Sequence, residues 1–258
     1  ISVRVSTTND WGGELCFMHK GKQILTTKNY GDYVMRYVHT EGDNYRIRYV
    51  FNANDGEHIY GLGQEQEDAF DRKGTSTELV HYNTKSVIPF YYSSLGYGFL
   101  WNNPAPGRCE TTFNHTMWVA DSAYQADFIV FVGDTPKDVM KTYADLTGYS
   151  PMMPKWAAGF WQCKCRYESQ DILLNVAREY KRRGIPIDAI VIDFFHWTEQ
   201  GDLKFDPKYW PDPKAMCDEL KEMGIEPVVS VWPRISPKSK NWDEMNNRNM
   251  LVRTENGQ

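Results

Sequence analysis

From residue 1 to about residue 133, apolar and polar positions alternate at period two, which predicts β-strands. Tyr45, Ile47, Tyr49 and Phe51 fall on one face of such a strand, Arg46 and Arg48 on the other. Tyr33, Met35 and Tyr37 alternate in the same way, and Phe128 to Val132 is continuously apolar. Turn signals punctuate the runs: Asn9 to Gly13, Lys20-Gly21-Lys22, Glu41-Gly42-Asp43 and Asn54-Asp55-Gly56. Short strands with such turns predict an antiparallel sandwich. The span 64–89 breaks the rhythm, being polar and mixed, and is expected to be a long loop. Loops of that length are usually functional or disordered, so it is either a solvated excursion or a segment reaching over a neighbouring site.

The period changes at Asp134. Asp134-Thr135-Pro136 starts a helix whose stripe is Val139, Met140, Tyr143 and Leu146, and Gly148 ends it. Residues 150–154, Ser-Pro-Met-Met-Pro, read as a linker, which divides the chain into 1–150 and 151–258. After the linker come βα units. Ala157 to Gln162 predicts a strand. Ser169 caps a helix with Ile172, Val176 and Tyr180 on one face and Leu173 and Ala177 beside them, and Gly184 stops it. Ala189 to Phe194 predicts the next strand, apolar but for Asp193 near its end, as a parallel strand covered on both faces requires. Asp212 caps a further helix carrying Met216, Leu220 and Met223, and Glu226 to Trp232 predicts a third strand. The sequence Gly-Ile recurs at the same place in both units, at residues 184–185 and 224–225. The fold class expected is α+β then α/β: an antiparallel β-sandwich followed by the first strands and helices of a (β/α)8 TIM barrel. A barrel of that kind takes about 250 residues, so it is incomplete here and the sequence is expected to be part of a longer protein.

Composition narrows the function classes. Net charge is −5 with interspersed signs. No basic stripe suits a phosphate backbone, so nucleic acid is not an expected partner. No apolar run approaches a membrane span. The sequence begins inside the strand-like Ile1 to Val5 without an initiator Met, so its start reads as a cut and targeting is unreadable. Five cysteines without framework spacing predict reduced, mostly buried thiols and a cytoplasmic setting. Asn114-His115-Thr116 is a lone glycosylation sequon. Association into a homo-oligomer stays open.

In parallel α/β folds, sites form at the carboxyl ends of strands. Three such ends carry candidate chemistry. The first supplies Gln162 to Tyr167, including Cys163, Cys165, Arg166 and Tyr167. The second supplies Asp193, Phe194, Phe195, His196 and Trp197, and the third Trp232, Pro233 and Arg234. A carboxylate can accept hydrogen bonds from vicinal hydroxyls, and aromatic rings pack on the apolar faces of sugars, so this grouping points to a sugar pocket. Plainer readings stand beside it. Asp193 could tie down its own loop through backbone N–H groups. Trp232 could be core. His196 reads as a hydrogen-bonded loop residue. Cys163 and Cys165 lack the partners of a zinc site, no Gly-rich phosphate loop follows a strand, and no metal or cofactor is called for.

Several segments together carry a family resemblance: the runs FWQCKCRY (160–167), EYKRRGIPIDAIVIDFFHW (179–197), FDPKYWPDPKAM (205–216) and VVSVWP (228–233). They resemble the start of the catalytic barrel of glycoside hydrolase family 31. YGLGQ (60–64) and SSLGYGFLWNNP (93–104) are similar to phrases of that family's N-terminal, galactose-mutarotase-like sandwich. The resemblance implies an exo-acting, retaining α-glycosidase that removes terminal α-linked glucose or xylose from oligosaccharides. It implies that Asp193 hydrogen-bonds the sugar in the −1 subsite and that Phe194 and Phe195 shape the pocket near the C5 substituent. Trp232 matches a wall residue, and Arg166 or Tyr167 corresponds roughly to an aromatic of the first loop. The loop within 64–89 resembles one that leans over the barrel mouth.

A retaining mechanism needs a nucleophilic carboxylate and an acid/base carboxylate about 5–5.5 Å apart. The resemblance puts both on later barrel strands, so no residue of this chain is expected to be either. Asp206 and Asp212 read as loop and helix-cap residues. The alternative is a non-catalytic carbohydrate-binding or structural protein on the same scaffold.

Overall fold

The structure, a computed structural model, describes residues 1–9, 12–28 and 35–253. Asp10 and Trp11 of the turn expected at 9–13, and Tyr33 of the expected alternation, lie outside the described residues. The chain divides into two compact units, residues 1–150 and 151–258.

The first unit is built from β-strands whose alternation buries one face. Strands β1 (Ser2–Asn9), β2 (Gly12–His19) and β3 (Lys22–Thr26) form an antiparallel meander. A five-stranded sheet holds β4 (Met35–His39), β5 (Tyr45–Asn52), β11 (His115–Ala123), β10 (Gly107–Thr111) and β7 (Ser76–Glu78), in that order. A four-stranded sheet holds β12 (Phe128–Val132), β9 (Tyr97–Trp101), β8 (Ser86–Ser93) and β6 (Ile59–Gln64). As the alternation requires, Ile47, Tyr49 and Phe51 enter the core while Arg46 points out to pair with Asp121. Leu25, Ile59, Tyr91, Phe99, Trp101 and Trp118 join that core, where Phe99 and Trp118 stack at 5.2 Å. These sheets give the first unit its sandwich-like build.

The span 64–89, expected as one long loop, carries β7 and the start of β8. Strand β7 pairs antiparallel with β10 and buries Thr77, whose Oγ1 accepts a hydrogen bond from Arg72 at 2.7 Å. Three residues are too short for a periodic signal. A buried polar knot closes this unit. Glu57 is fully buried, and its Oε1 accepts hydrogen bonds from Ser93 Oγ and Tyr97 Oη, both at 2.6 Å. Its Oε2 lies 3.3 Å from Nζ of Lys73, whose side chain is also buried.

Helix α1 (Pro136–Thr147) starts with a capping box between Thr135 and Asp138. It packs through Val139 and Tyr143, whereas Met140 and Leu146, also expected on the stripe, are exposed.

The second unit is a three-stranded parallel sheet flanked by helices. Strand β13 (Trp161–Gln162) pairs with β14 (Ala189–Ile192), and β14 pairs with β15 (Glu226–Val229). The order is sequential, as in an opening barrel, and the barrel is not closed within this chain. The first strand is shorter than the expected Ala157 to Gln162, because residues 155–158 wind into a 3-10 turn after Pro154. Ser169 caps α2 (Gln170–Arg182) and Asp212 caps α3 (Pro213–Glu222) through side-chain hydrogen bonds. The core face of α2 is Leu173, Leu174 and Ala177, so Ile172 lies at the exposed margin of the stripe expected for it. Arg178 joins the helices by a bidentate bond to Glu219 of α3. Cys163 and Cys165 are exposed, against the expectation of mostly buried thiols, since both follow the strand end rather than lie within it.

Candidate functional site

Strand β14 ends at Ile192, so Asp193 is the first residue past the ladder at the carboxyl end of the sheet. Its carboxylate is used asymmetrically. Oδ1 accepts a hydrogen bond from the Phe194 backbone N–H at 2.8 Å. Oδ2 faces only the Cys163 thiol, at 3.9 Å, among the described residues. The loop-tying reading of Asp193 is thus seen in Oδ1, while Oδ2 makes no strong hydrogen bond to the protein among the described residues. Burial, and then the Asp193 carboxylate, push the Cys163 thiol above its ordinary value, so it stays a protonated donor.

Beside Asp193 the rings form a row. Phe194 stacks on Trp232 at 5.3 Å and 14°. Phe194 and Phe195 have centroids 4.4 Å apart, and the Arg166 guanidinium sits 5.5 Å from the Phe195 ring centre. Trp232 is half-exposed in this chain, in which the barrel is not closed. Phe195 has φ +63°, a left-handed backbone that side-chain-bearing residues rarely adopt.

Asp193, Phe194, Phe195, Trp232 and Arg166 are thus brought together. Tyr167 is not. It is buried with Leu173 and Ile190, and its hydroxyl accepts from Gln162 Nε2 at 3.2 Å. Burial raises the pKa of that phenol. Tyr167 is correspondingly a core residue, a placement that neither its spacing nor its type announces. His196 fits the loop-residue reading. It is buried against Trp197 and Phe205, and Nδ1 lies 3.1 Å from the Asp193 carbonyl. Burial lowers its pKa, which keeps the imidazole neutral. Asp206 Oδ1 accepts from the Lys208 N–H, and Asp212 Oδ1 from the Ala215 N–H, the loop and cap roles expected of them.

Asp202 was without a sequence signal. It is buried, and its Oδ1 accepts from Ser239 Oγ at 3.0 Å and the Lys240 N–H at 2.9 Å. Asn241 Nδ2 donates to the Gly201 carbonyl at 2.7 Å, and the Ser236 N–H to the Gln200 carbonyl at 3.0 Å. Gly201 has φ +100°, and a Cβ there would meet the Ile235 Cα at 2.8 Å. The loop after β14 is therefore stitched to the segment after β15.

Comparison with known proteins places this arrangement. The sequence model for the glycosyl hydrolases family 31 TIM-barrel domain matches residues 150–258. That for the glycosyl hydrolase 31 N-terminal galactose mutarotase-like domain matches residues 1–110. The chain is 44% identical to the uncharacterized family 31 glucosidase ORF2 of Pseudescherichia vulneris, over 84% of this chain and 41% of that protein. It is 35% identical to an alpha-xylosidase of Saccharolobus solfataricus, over 98% of this chain and 35% of the relative. The crystal structure of a GH31 alpha-xylosidase from a soil metagenome, complexed with xylose, superposes with a TM-score of 0.89 at 40% identity, covering 98% of this chain and 42% of that one. The chain thus spans less than half the length of these relatives.

Proposed function

The chain belongs to glycoside hydrolase family 31, and on that premise we propose that the protein carrying it is a retaining, exo-acting α-glycosidase that releases terminal α-linked glucose or xylose from oligosaccharides. Asp193 holds the terminal sugar, with Phe194, Phe195 and Trp232 as its wall and Arg166 behind Phe195. The observation that carries this reading is the Asp193 carboxylate, with Oδ1 fixed by the Phe194 N–H and Oδ2 left to a weak thiol contact. A charged acceptor in that state binds a hydroxyl pair without first breaking a strong protein hydrogen bond. The nucleophile and the acid/base are assigned to no residue of this chain, since the family resemblance puts both on barrel strands after β15.

Between the two sugars, the ring row favours xylose. Phe194 and Trp232 stack into a continuous bulky surface, which leaves less room for the C6 hydroxymethyl of a glucosyl unit. Two relatives named as α-xylosidases support the same choice. A strong preference for aryl α-glucoside over aryl α-xyloside would contradict it.

The test of the Asp193 role uses two variants of the protein carrying this chain. Asp193→Asn keeps an Oδ1 acceptor for the loop, and Asp193→Ala removes it. Losing a hydrogen bond to a charged group costs about 1.5–3 kcal/mol, so kcat/KM on an aryl α-glycoside should fall at least about tenfold in both. Kinetics close to wild type in either variant would refute the sugar-holding role.

A further inference from the structure

The five-stranded sheet of the first unit has a second face, turned away from the core. On β5, Ile47 and Tyr49 enter the core, so Arg46 and Arg48 point the other way. On β11, Trp118 and Ala120 enter the core, and Val119 between them joins Val50 and Met117 in a small cluster on the outer face. Register brings the arginines of this face together. Arg36 of β4 stands opposite Arg48, Arg48 opposite Val119, and Val119 opposite Arg108 of β10. Arg46 lies beside this row, opposite Val38. The four arginines, with Val38 and Val119, line one cleft of about 170 Å³. They come from three strands, so no run of the sequence shows them as a group.

Like charges directly opposite on a sheet repel, and this cleft sets Arg36 against Arg48. Carboxylates meet the face only from its margins. Asp121 approaches Arg46 Nε at 3.2 Å, Glu110 accepts from Arg108 Nε at 2.6 Å, and Glu78 stands opposite Arg108 in register. None of the three lines the cleft. Guanidinium forks match the oxygens of phosphate and carboxylate. Here they converge from three strands, which suits the tetrahedral spread of phosphate oxygens better than the single plane of a carboxylate. The cleft is smaller than the roughly 300–1,000 Å³ of sites that enclose a whole drug-sized ligand, so it suits one anionic group. Arg36, Val38 and Arg46 are exposed, which leaves room for the rest of such a molecule in solvent. Val119 is buried and forms an apolar floor between Arg48 and Arg108.

We propose that this sheet face binds the phosphate group of a small phosphate monoester, held by Arg36, Arg48 and Arg108 over Val119. The site belongs to the first unit and does not depend on the glycosidase reading.

The experiment is calorimetric titration of the protein carrying this chain with inorganic phosphate, phenyl phosphate and benzoate, at one ionic strength made up with sodium chloride. Both phosphates should bind saturably, phenyl phosphate at least as tightly as inorganic phosphate, and benzoate about tenfold more weakly or less. Arg36→Gln and Arg48→Gln should each weaken phenyl phosphate about tenfold, the usual loss for one hydrogen bond to a charged group. Lys137→Gln removes the same charge from the exposed side of α1 and should leave binding unchanged. No saturable binding of phenyl phosphate, benzoate binding as tightly, or equal weakening by all three variants overturns the site. A thermal scan without phosphate at low salt checks that the face is open. Arg36→Gln should melt no lower than the wild type, because a like-charge pair is relieved. A lower Tm would mean that another part of the protein already supplies the counter-charge, and would overturn the proposal.

Discussion

Replacing Phe195 by glycine and by alanine separates backbone strain from ring contact at the centre of the site. The side chain is 54% exposed, so roughly half of the ~200 Å² of a phenylalanine is buried, worth about 2 kcal/mol. Both variants lose that. They differ in the backbone. At φ +63° a residue with a Cβ is strained by about 1–2 kcal/mol, and glycine is not. Against this, glycine loses about 0.5–1 kcal/mol more conformational entropy on folding than alanine. The balance makes Phe195→Gly about 0.5–1 kcal/mol more stable than Phe195→Ala, the reverse of their order at an ordinary position. Urea unfolding of both variants at 25 °C, with equal m-values, gives the difference directly. Sugar binding should weaken equally in the two, because both lack the ring that Arg166 and Phe194 contact. An alanine variant as stable as the glycine variant, or more so, would refute the assignment of strain to this position.

Two further predictions concern groups away from the ligand. Glu57→Gln leaves the buried Lys73 ammonium without its opposite charge and should cost about 3–5 kcal/mol in chemical unfolding. Adding Lys73→Met should recover a large part of it, and a purely additive double variant would show that the pair is not coupled. The lowered pKa of His196 means that the unfolded chain takes up a proton there before the folded one does. Its contribution to stability is present above the ordinary histidine value, about 6.5, and is lost as pH falls below it. A plot of Tm from pH 7.5 to 5.5 should therefore slope less in His196→Gln than in the wild type, and identical slopes would count against a buried neutral imidazole.

The parts of the site that could be read from sequence were those fixed by strand chemistry. A continuously apolar run ending in a carboxylate puts Asp193 at a strand end, and the caps at Ser169 and Asp212 act through local side-chain bonds that depend on a few neighbouring residues. What escaped depends on contacts distant in sequence or on backbone turns. Tyr167 and Arg166 are adjacent, yet one enters the core and the other faces Phe195, because no regular period governs the loop after β13. The left-handed turn at Phe195 has no glycine to advertise it. Asp202 earns its role only from Ser239 and Lys240, nearly forty positions on, and β7 is legible only through its partner β10.

The stitching of the loop after β14 to the segment after β15 bears on what the proposed sugar ligand would meet on arrival. Phe194 belongs to the first of these segments and Trp232 to the second, and Asp202, Gly201 and Gln200 bind the two together further along. The order of that wall is thus settled when the chain folds, and the entropy of immobilising two loops is not charged to ligand binding. Affinity at such a preorganised surface is governed by how fast the ligand leaves rather than by a slow closure around it. Loosening the stitch, for example at Asp202, would shift that cost onto the binding step of the proposed site while the rings of its wall stay unchanged.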